Sequence, residues 1–193
     1  MYISLPEVKK YLKIDSSDDD SLLVSFISDA QSAVDSFCLR TFEAAADSTR
    51  YFDALRDVDG RRLKLDRDLC AITSITNGDG ATVTTGQYTT LPRNDTPFYA
   101  IQLKASSGIN WQWENDPEGA IAVTGRWAYS TTVTDKFPLA FVCKRLVAYF
   151  YHQRGNNADL DRAVVVGNST LLPASLPADI QKLLLPARRG VAA

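Results

Sequence analysis

A single histidine, a single methionine and three cysteines in 193 residues leave little of the chemistry that marks most enzymes and metal centres. Any histidine-based relay must use His152, which sits among Tyr149, Phe150, Tyr151 and Gln153, where a packed or surface imidazole is the commoner role. Cys38, Cys70 and Cys143 are odd in number, far apart and without C-x-x-C spacing, which excludes a zinc cage and a disulfide framework. Positive charge is not in excess. With 21 basic and 23 acidic residues the formal charge is -2, so no global field gathers nucleic-acid phosphates, although local basic patches remain open. Long apolar runs are missing too. Leu183 to Leu185 and Leu146 to Tyr151 fall far short of the ~18 residues that suggest a membrane span. The opening "MYISLPEVKK" has no basic region followed by an apolar stretch, so no secretory signal is read and a cytoplasmic origin is expected. The acceptor pattern at Asn168 then carries no meaning.

What is present is an ordinary globular composition, 45% hydrophobic and 23% charged, enough for one domain or one domain with a sizeable insertion. Helical period dominates the first forty residues. Ser4 and Glu7 have capping-box spacing with Pro6 in the first turn, and Val8, Tyr11 and Leu12 form a short stripe. The acidic run Asp15 to Asp20 precedes a longer helix, where it favours the positive end of the helix dipole. That helix places Leu22, Leu23, Phe26, Ile27, Ala30, Ala33, Val34, Phe37 and Cys38 on one face, with Arg40 expected to close its last turn.

From about Thr49 to Tyr129 the period becomes two. Leu63 and Leu65, then Tyr99, Ile101 and Leu103, then Ile121, Val123, Gly125 and Trp127 alternate with polar or small residues, and Asp59-Gly60, Asn77-Gly78, Asp79-Gly80 and Asp116-Pro117 punctuate them. No helical stretch intervenes, so an antiparallel β-unit is expected. After Pro138 the helical period returns through Leu139, Val142, Leu146, Tyr149, Phe150 and Gln153, with Gly155-Asn156-Asn157 as the stop and Lys144 and Arg145 facing water or a partner. A polar link through Gly167 leads to a short helix begun by Pro177 and Asp179 and ended at Pro186, after which Gly190 to Ala193 are expected to fray.

The remaining motifs read as turns and packing. "DVDG" at Asp57 puts Leu55 and Asp66 where a calcium loop needs a first acidic ligand and a final glutamate. "NGDGAT" at Asn77 lacks the G-K-[ST] ending of a phosphate loop. Trp111 and Trp113, two apart, would share a face on a strand; they suit an aromatic cover for the β-unit or, less often, a stacking platform for a sugar or base.

The order of these segments is similar to a known family. Leu5, Val8, Lys9 and Leu12, then Asp18 to Asp20, then Leu22 and Leu23 resemble the opening of head-to-tail connector (adaptor) proteins of long-tailed bacteriophages and related gene-transfer particles. Larger variants carry a β-rich insertion ending in "I-x-V-T-G-x-W-x-Y", matched by Ile121, Val123, Thr124, Gly125, Trp127 and Tyr129; Ala128 stands where many relatives have glycine. Pro138, Tyr151 with Arg154, and the closing segment from Leu176 to Arg188 continue the resemblance.

The fold class expected is α+β: a small helical bundle core formed by residues 1–48 and 131–193, interrupted by an inserted antiparallel β-unit over residues 49–130. The resemblance implies a virion structural protein without catalysis or cofactor, forming a homo-oligomeric ring, commonly a dodecamer. Its implied partners are the portal protein, a neck, stopper or tail-completion protein, and genomic DNA passing through the lumen without sequence-specific binding; no membrane is involved. It implies localisation at the head-tail junction of the virion, and in the host cytoplasm during assembly. Ring closure requires two different surfaces of each copy to meet. For portal docking the apolar Ile180, Leu183 and Leu184 beside Arg188 and Arg189 are the candidates, with packing of that helix on its own core an equal alternative. Two other functions stay open: a carbohydrate- or peptide-binding module using the β-unit, and a DNA-packaging or DNA-binding factor.

Overall fold

The computed structural model describes residues 1–44, 46–131, 137–153, 164–166, 169–171 and 176–189. In chain order the elements are α1 (Leu5–Leu12), α2 (Asp20–Cys38), β1 (Ser48–Phe52), β2 (Val58–Asp59), β3 (Arg62–Leu69), β4 (Ala71–Thr76), β5 (Tyr88–Leu91), β6 (Phe98–Leu103), β7 (Ile121–Arg126), α3 (Leu139–Gln153), β8 (Val164–Val166), β9 (Ser169–Leu171) and α4 (Ala178–Leu184). The class is α+β. The chain divides into two compact units, residues 1–39 with 134–193 and residues 40–133. Residues 40–48 and 131–133, expected with the helices, fall in the second.

In the helical unit, α1 begins as its sequence requires. The Glu7 carboxylate accepts from the Ser4 N–H at 2.9 Å and the Ser4 hydroxyl at 2.8 Å, and the Ser4 backbone bond is the main cause holding its carboxyl below the usual value. The helix stops at Lys13, which takes the left-handed conformation (φ 58°) that ends helices. Helix α2 buries Leu23, Ile27, Ala30, Val34 and Cys38, a stripe at spacings of three and four, while Phe26 and Phe37 flank it half-buried. Helix α3 turns Leu139, Val142, Cys143, Leu146 and Val147 inward. Full burial of each large aliphatic contributes about 1.5–3 kcal/mol. Helices α2 and α3 run antiparallel: Phe26 meets Phe150 (ring centroids 6.0 Å apart) and Asp19 accepts from the Tyr151 hydroxyl at 2.7 Å. Asp19 thus holds the N-cap position of α2 but lends its side chain to α3 rather than to capping. Asp20, in the first turn, pairs with Lys9 at 2.7 Å.

Lys144 and Arg145 do not simply face water. Lys144 reaches Glu7 at 3.4 Å, and Arg145 reaches Asp179 of α4 at 2.6 Å. The amino end is latched as well: the Tyr2 N–H donates to Gln31 at 2.7 Å and its hydroxyl to the half-buried Asp35 at 2.5 Å. Strands β8 and β9 pair as an antiparallel hairpin. The expected helix stop at Gly155–Asn157, Arg154, the link at Gly167 and residues 190–193 lie outside the described residues.

The β-unit holds two antiparallel sheets, ordered β1-β7-β4 and β2-β3-β6-β5. Their inner faces share one core, in which Phe52, Leu63, Leu69, Ile75, Ile101, Leu103, Ile121 and Val123 are nearly inaccessible. "DVDG" forms the tight hairpin between β2 and β3, with Gly60 at φ 59° where a side chain is disfavoured. The alternation read in β6 starts later than expected. Ile101 and Leu103 are buried, but Tyr99 is 55% exposed, because it lies opposite the stretch of β3 where the register shifts between Lys64 and Leu69.

Central strand β7 follows its sequence closely: Ile121, Val123 and Gly125 face inward. Gly125 pairs with Ser48 on one side and Ile72 on the other, and β4 carries a register shift between Ile72 and Ser74. A Cβ on Gly125 would lie 2.2 Å from the Ala71 carbonyl oxygen and 3.1 Å from Leu69, so only glycine fits this close approach.

The segments that lead into and out of the β-unit run side by side. Tyr129 donates its N–H to the Thr41 carbonyl at 2.8 Å and Ser130 to the Phe42 carbonyl at 3.2 Å, while Ala44 donates to Ser130 at 3.3 Å. Arg40, expected to close α2, lies past the left-handed Leu39 (φ 54°) and belongs to this junction instead. Its guanidinium sits 3.1 Å from the buried Asp68 and 5.1 Å from the Tyr129 ring centroid. Arg40 thus pairs with an acid of the β-unit rather than lying over the end of α2.

Two outcomes follow. Gly125→Ala lowers stability by roughly 1–3 kcal/mol or more through backbone overlap, whereas Gly86→Ala, with no atom within 4 Å of the new Cβ, changes it by less than about 0.5 kcal/mol; paired thermal melts read the difference. Burial pushes the Asp35 carboxyl above its usual value, against the lowering effect of the Tyr2 hydroxyl. The folded chain therefore holds that proton more tightly than the unfolded chain. This contribution to stability is complete below the unfolded value and is lost as pH rises through the folded one. Tyr2→Phe moves the Asp35 midpoint further up, measured by carboxyl ¹³C NMR titration.

Candidate docking surface

The residues that might have carried catalysis are scattered. His152 is exposed on the last turn of α3, its ring 6.0 Å from that of Tyr151. Among the described residues no group of three or more His, Cys, Asp or Glu side chains is placed to hold a metal. Burial lifts the Cys143 thiol to about 12 and raises Cys70 as well, so neither is poised as a thiolate. Among the described residues no helix is long and apolar enough to cross a membrane.

The tryptophans do not form a stacking pair. Trp111 is not on a strand; it is 6% exposed and donates its indole N–H to the Arg61 carbonyl at 3.0 Å. Trp113 is 40% exposed. Trp127 lies against Phe52 with centroids 5.8 Å apart, donates to the Ser48 carbonyl at 2.9 Å and carries Arg50 over its ring at 5.5 Å. Two of the three are thus structural, as cover for the β-core.

The carboxyl-terminal segment divides the expected docking residues between two roles. Ile180 and Leu184 are 1% and 0% exposed, packed within the helical unit. The Leu184 carbonyl lies 3.9 Å from the Cys38 sulfur, and the Arg189 N–H donates to the Cys38 carbonyl at 2.8 Å. Arg188 spreads over Phe37 at 5.7 Å. These contacts tie the segment to the end of α2. Leu183 is 37% exposed and lies one turn beyond Asp179 on α4; Asp179 holds Arg145, and Arg145 lies 5.9 Å from the ring of Phe141, itself 46% exposed.

Phe141, Arg145, Asp179 and Leu183 therefore form one surface strip across α3 and α4, with an ion pair between two apolar ends. Leu185, 55% exposed, follows in the tight turn Leu185–Ala187. Phe141 and Leu185 were not legible as surface groups, since each sits inside a run of apolar residues. Such a strip has the composition of a protein contact, with an aromatic anchor and an arginine.

Residues 2–68 match the family model described as Phage gp6-like head-tail connector protein. The match covers about a third of the chain and takes in α1, α2 and the first three strands. At the level of fold, the chain is similar to one in the structure described as "Neck of empty GTA particle computed with C6 symmetry", with 14% sequence identity and a TM-score of 0.61, covering 100% of this chain and 92% of that one. A chain of the "Virion of native gene transfer agent (GTA) particle" matches over the same shares at 14% identity and a TM-score of 0.59. No curated protein sequence matches the chain.

The split within α4 has a measurable consequence. Ile180→Ala removes a fully buried side chain and costs about 2–5 kcal/mol, whereas Leu183→Ala costs about 1 kcal/mol or less; urea denaturation of the two variants separates them.

Proposed function

We propose that the chain is a virion structural protein: a head-tail connector that forms a ring under the portal and joins the DNA-filled head to the neck or tail. The connector match over residues 2–68 carries this reading, and the likeness of the whole fold to chains of gene transfer agent particles supports it. The role is architectural.

The partners in this reading are the portal protein, a neck, stopper or tail-completion protein, and further copies of the same chain in a ring, a dodecamer by resemblance to the connector family, closed through heterologous contacts. Assembly takes place in the host cytoplasm, and the finished ring resides at the head-tail junction of the virion. Genomic DNA passes through the lumen without sequence-specific contacts. A chain of net charge -2 offers the phosphates no overall attraction that would hold them in transit.

For the portal contact the carboxyl-terminal segment remains the proposal, in a form refined by burial. Ile180 and Leu184 anchor the segment, Leu183 and Phe141 present the apolar contact, Arg188 stays at its margin on Phe37, and Arg189 is tied through its backbone to Cys38. In the doubly substituted chain Phe141→Asp with Leu183→Asp, the melting temperature stays within a few degrees of the parent while association with the portal is lost. Electron microscopy of the purified chain mixed with its portal reads the result: a ring seated on the portal for the parent and free portal for the variant. A parent chain that forms no ring with any portal would defeat the connector reading, and a variant that still docks would move the contact elsewhere.

A further inference from the structure

The β-unit contains a small preformed cavity that the connector role does not use. Two loops face one another across it, residues 77–87 and 108–112. They are braced to each other at several points. The Asn77 side chain, 4% exposed, donates to the Asn110 carbonyl at 3.0 Å and accepts from the Gln112 N–H at 3.3 Å, and the Gln112 side-chain amide donates to Asp79. Gly78 lies so close to the opposite loop that a Cβ would fall 2.4 Å from the Gln112 carbonyl oxygen. Gly80 takes φ 78°, and Asp79 accepts from the Ala81 N–H at 3.0 Å, which fixes the turn. Gln87 closes the far side by accepting from the Thr84 N–H and hydroxyl at 2.8 and 3.1 Å. Bracing of this kind removes the ordering cost that a floppy loop would impose on a ligand.

The cavity measures about 220 Å³. That is space on the scale of one six-membered ring with its hydroxyls. Val83 and Ile109 supply apolar lining, while Asp79, Thr82, Gln87, Asn110 and Gln112 supply polar groups. The amides each offer a donor and an acceptor, the hydroxyl offers both, and the carboxylate accepts from two donors. No lysine or arginine lines the cavity, and the one charge is negative, so phosphates, carboxylates and nucleic acid are disfavoured.

We propose that this cavity binds a single neutral sugar residue, recognised through its hydroxyls by Asp79, Thr82 and Gln112. The platform is not the tryptophan pair that the sequence suggested. Trp111 lies buried in the neighbouring wall with its indole already bonded, and Trp113 serves only as a half-exposed reporter beside Gln112. The site is shallow and small, so millimolar affinity is expected.

The test uses the intact chain labelled with ¹⁵N and titrated to 100 mM with the methyl glycosides of glucose, galactose, mannose and N-acetylglucosamine. The expected result is a saturable shift for at least one of them, confined to the amides of residues 77–87 and 108–112 and the side chains of Asn77 and Gln112. Asp79→Ala should weaken it at least tenfold. Thr82→Trp, which plugs the mouth without removing a brace, should abolish it with an unchanged melt. No saturable shift with any of the four overturns the proposal. Shifts that appear only with calcium chloride also overturn it and make Asp79 a cation contact. A shift that survives Thr82→Trp does the same, because the sugar would then sit elsewhere.

Discussion

The segment that leads into the β-unit and the segment that leads out of it are held together by a short parallel pairing between residues 41–44 and 129–130, closed by the Tyr129–Thr41 and Ser130–Phe42 hydrogen bonds. Arg40 and Asp68 pair beside it. Both side chains are largely buried, at 14% and 8% exposure, so the ion pair is shielded from the solvent screening that weakens surface pairs. Tyr129 lies over the guanidinium and against Phe42, which completes a compact junction of charge, aromatic ring and backbone.

Strand β7 depends on that junction because it runs directly into it. It is the central strand of its sheet, paired on both sides, and its inward side chains reach the core shared with the second sheet. Gly125 marks the point where β4 shifts register and presses its carbonyl against the strand. The motif around Val123 to Tyr129 therefore combines alternation for the core, glycine for the close approach, Trp127 against Phe52 of β1 and Tyr129 against Phe42 at the seam.

Much of this was legible in the residues. The helices were clear because spacings of three and four leave few other interpretations for Leu23, Ile27, Ala30 and Val34, and the capping residues Ser4 and Glu7 act locally. Turns at Gly60 and Gly80 were clear for the same local reason. Long-range choices were not. Arg40 has a ready explanation at a helix end, and nothing in its neighbours reveals Asp68. Tyr99 obeys period two on its own strand, but the irregularity that turns it outward lies on β3. The docking strip was half visible: the apolar residues of α4 are plain, yet a helix of seven residues does not disclose which of them face its own core. The small cavity was invisible, since its walls come from loops thirty residues apart and its shape depends on Gly78 meeting Gln112.

A likeness of fold at 14% identity is compatible with such a core, because period-two and helical positions can be filled by many different apolar side chains.

The parallel seam also makes the β-unit a detachable module. Its two ends are stitched by its own backbone, so their separation does not depend on what is attached beyond them. Loops within residues 48–126 can lengthen, shrink or be replaced while the two ends stay in place, and the segment is suited to grafting onto another helical host at any surface turn of similar span.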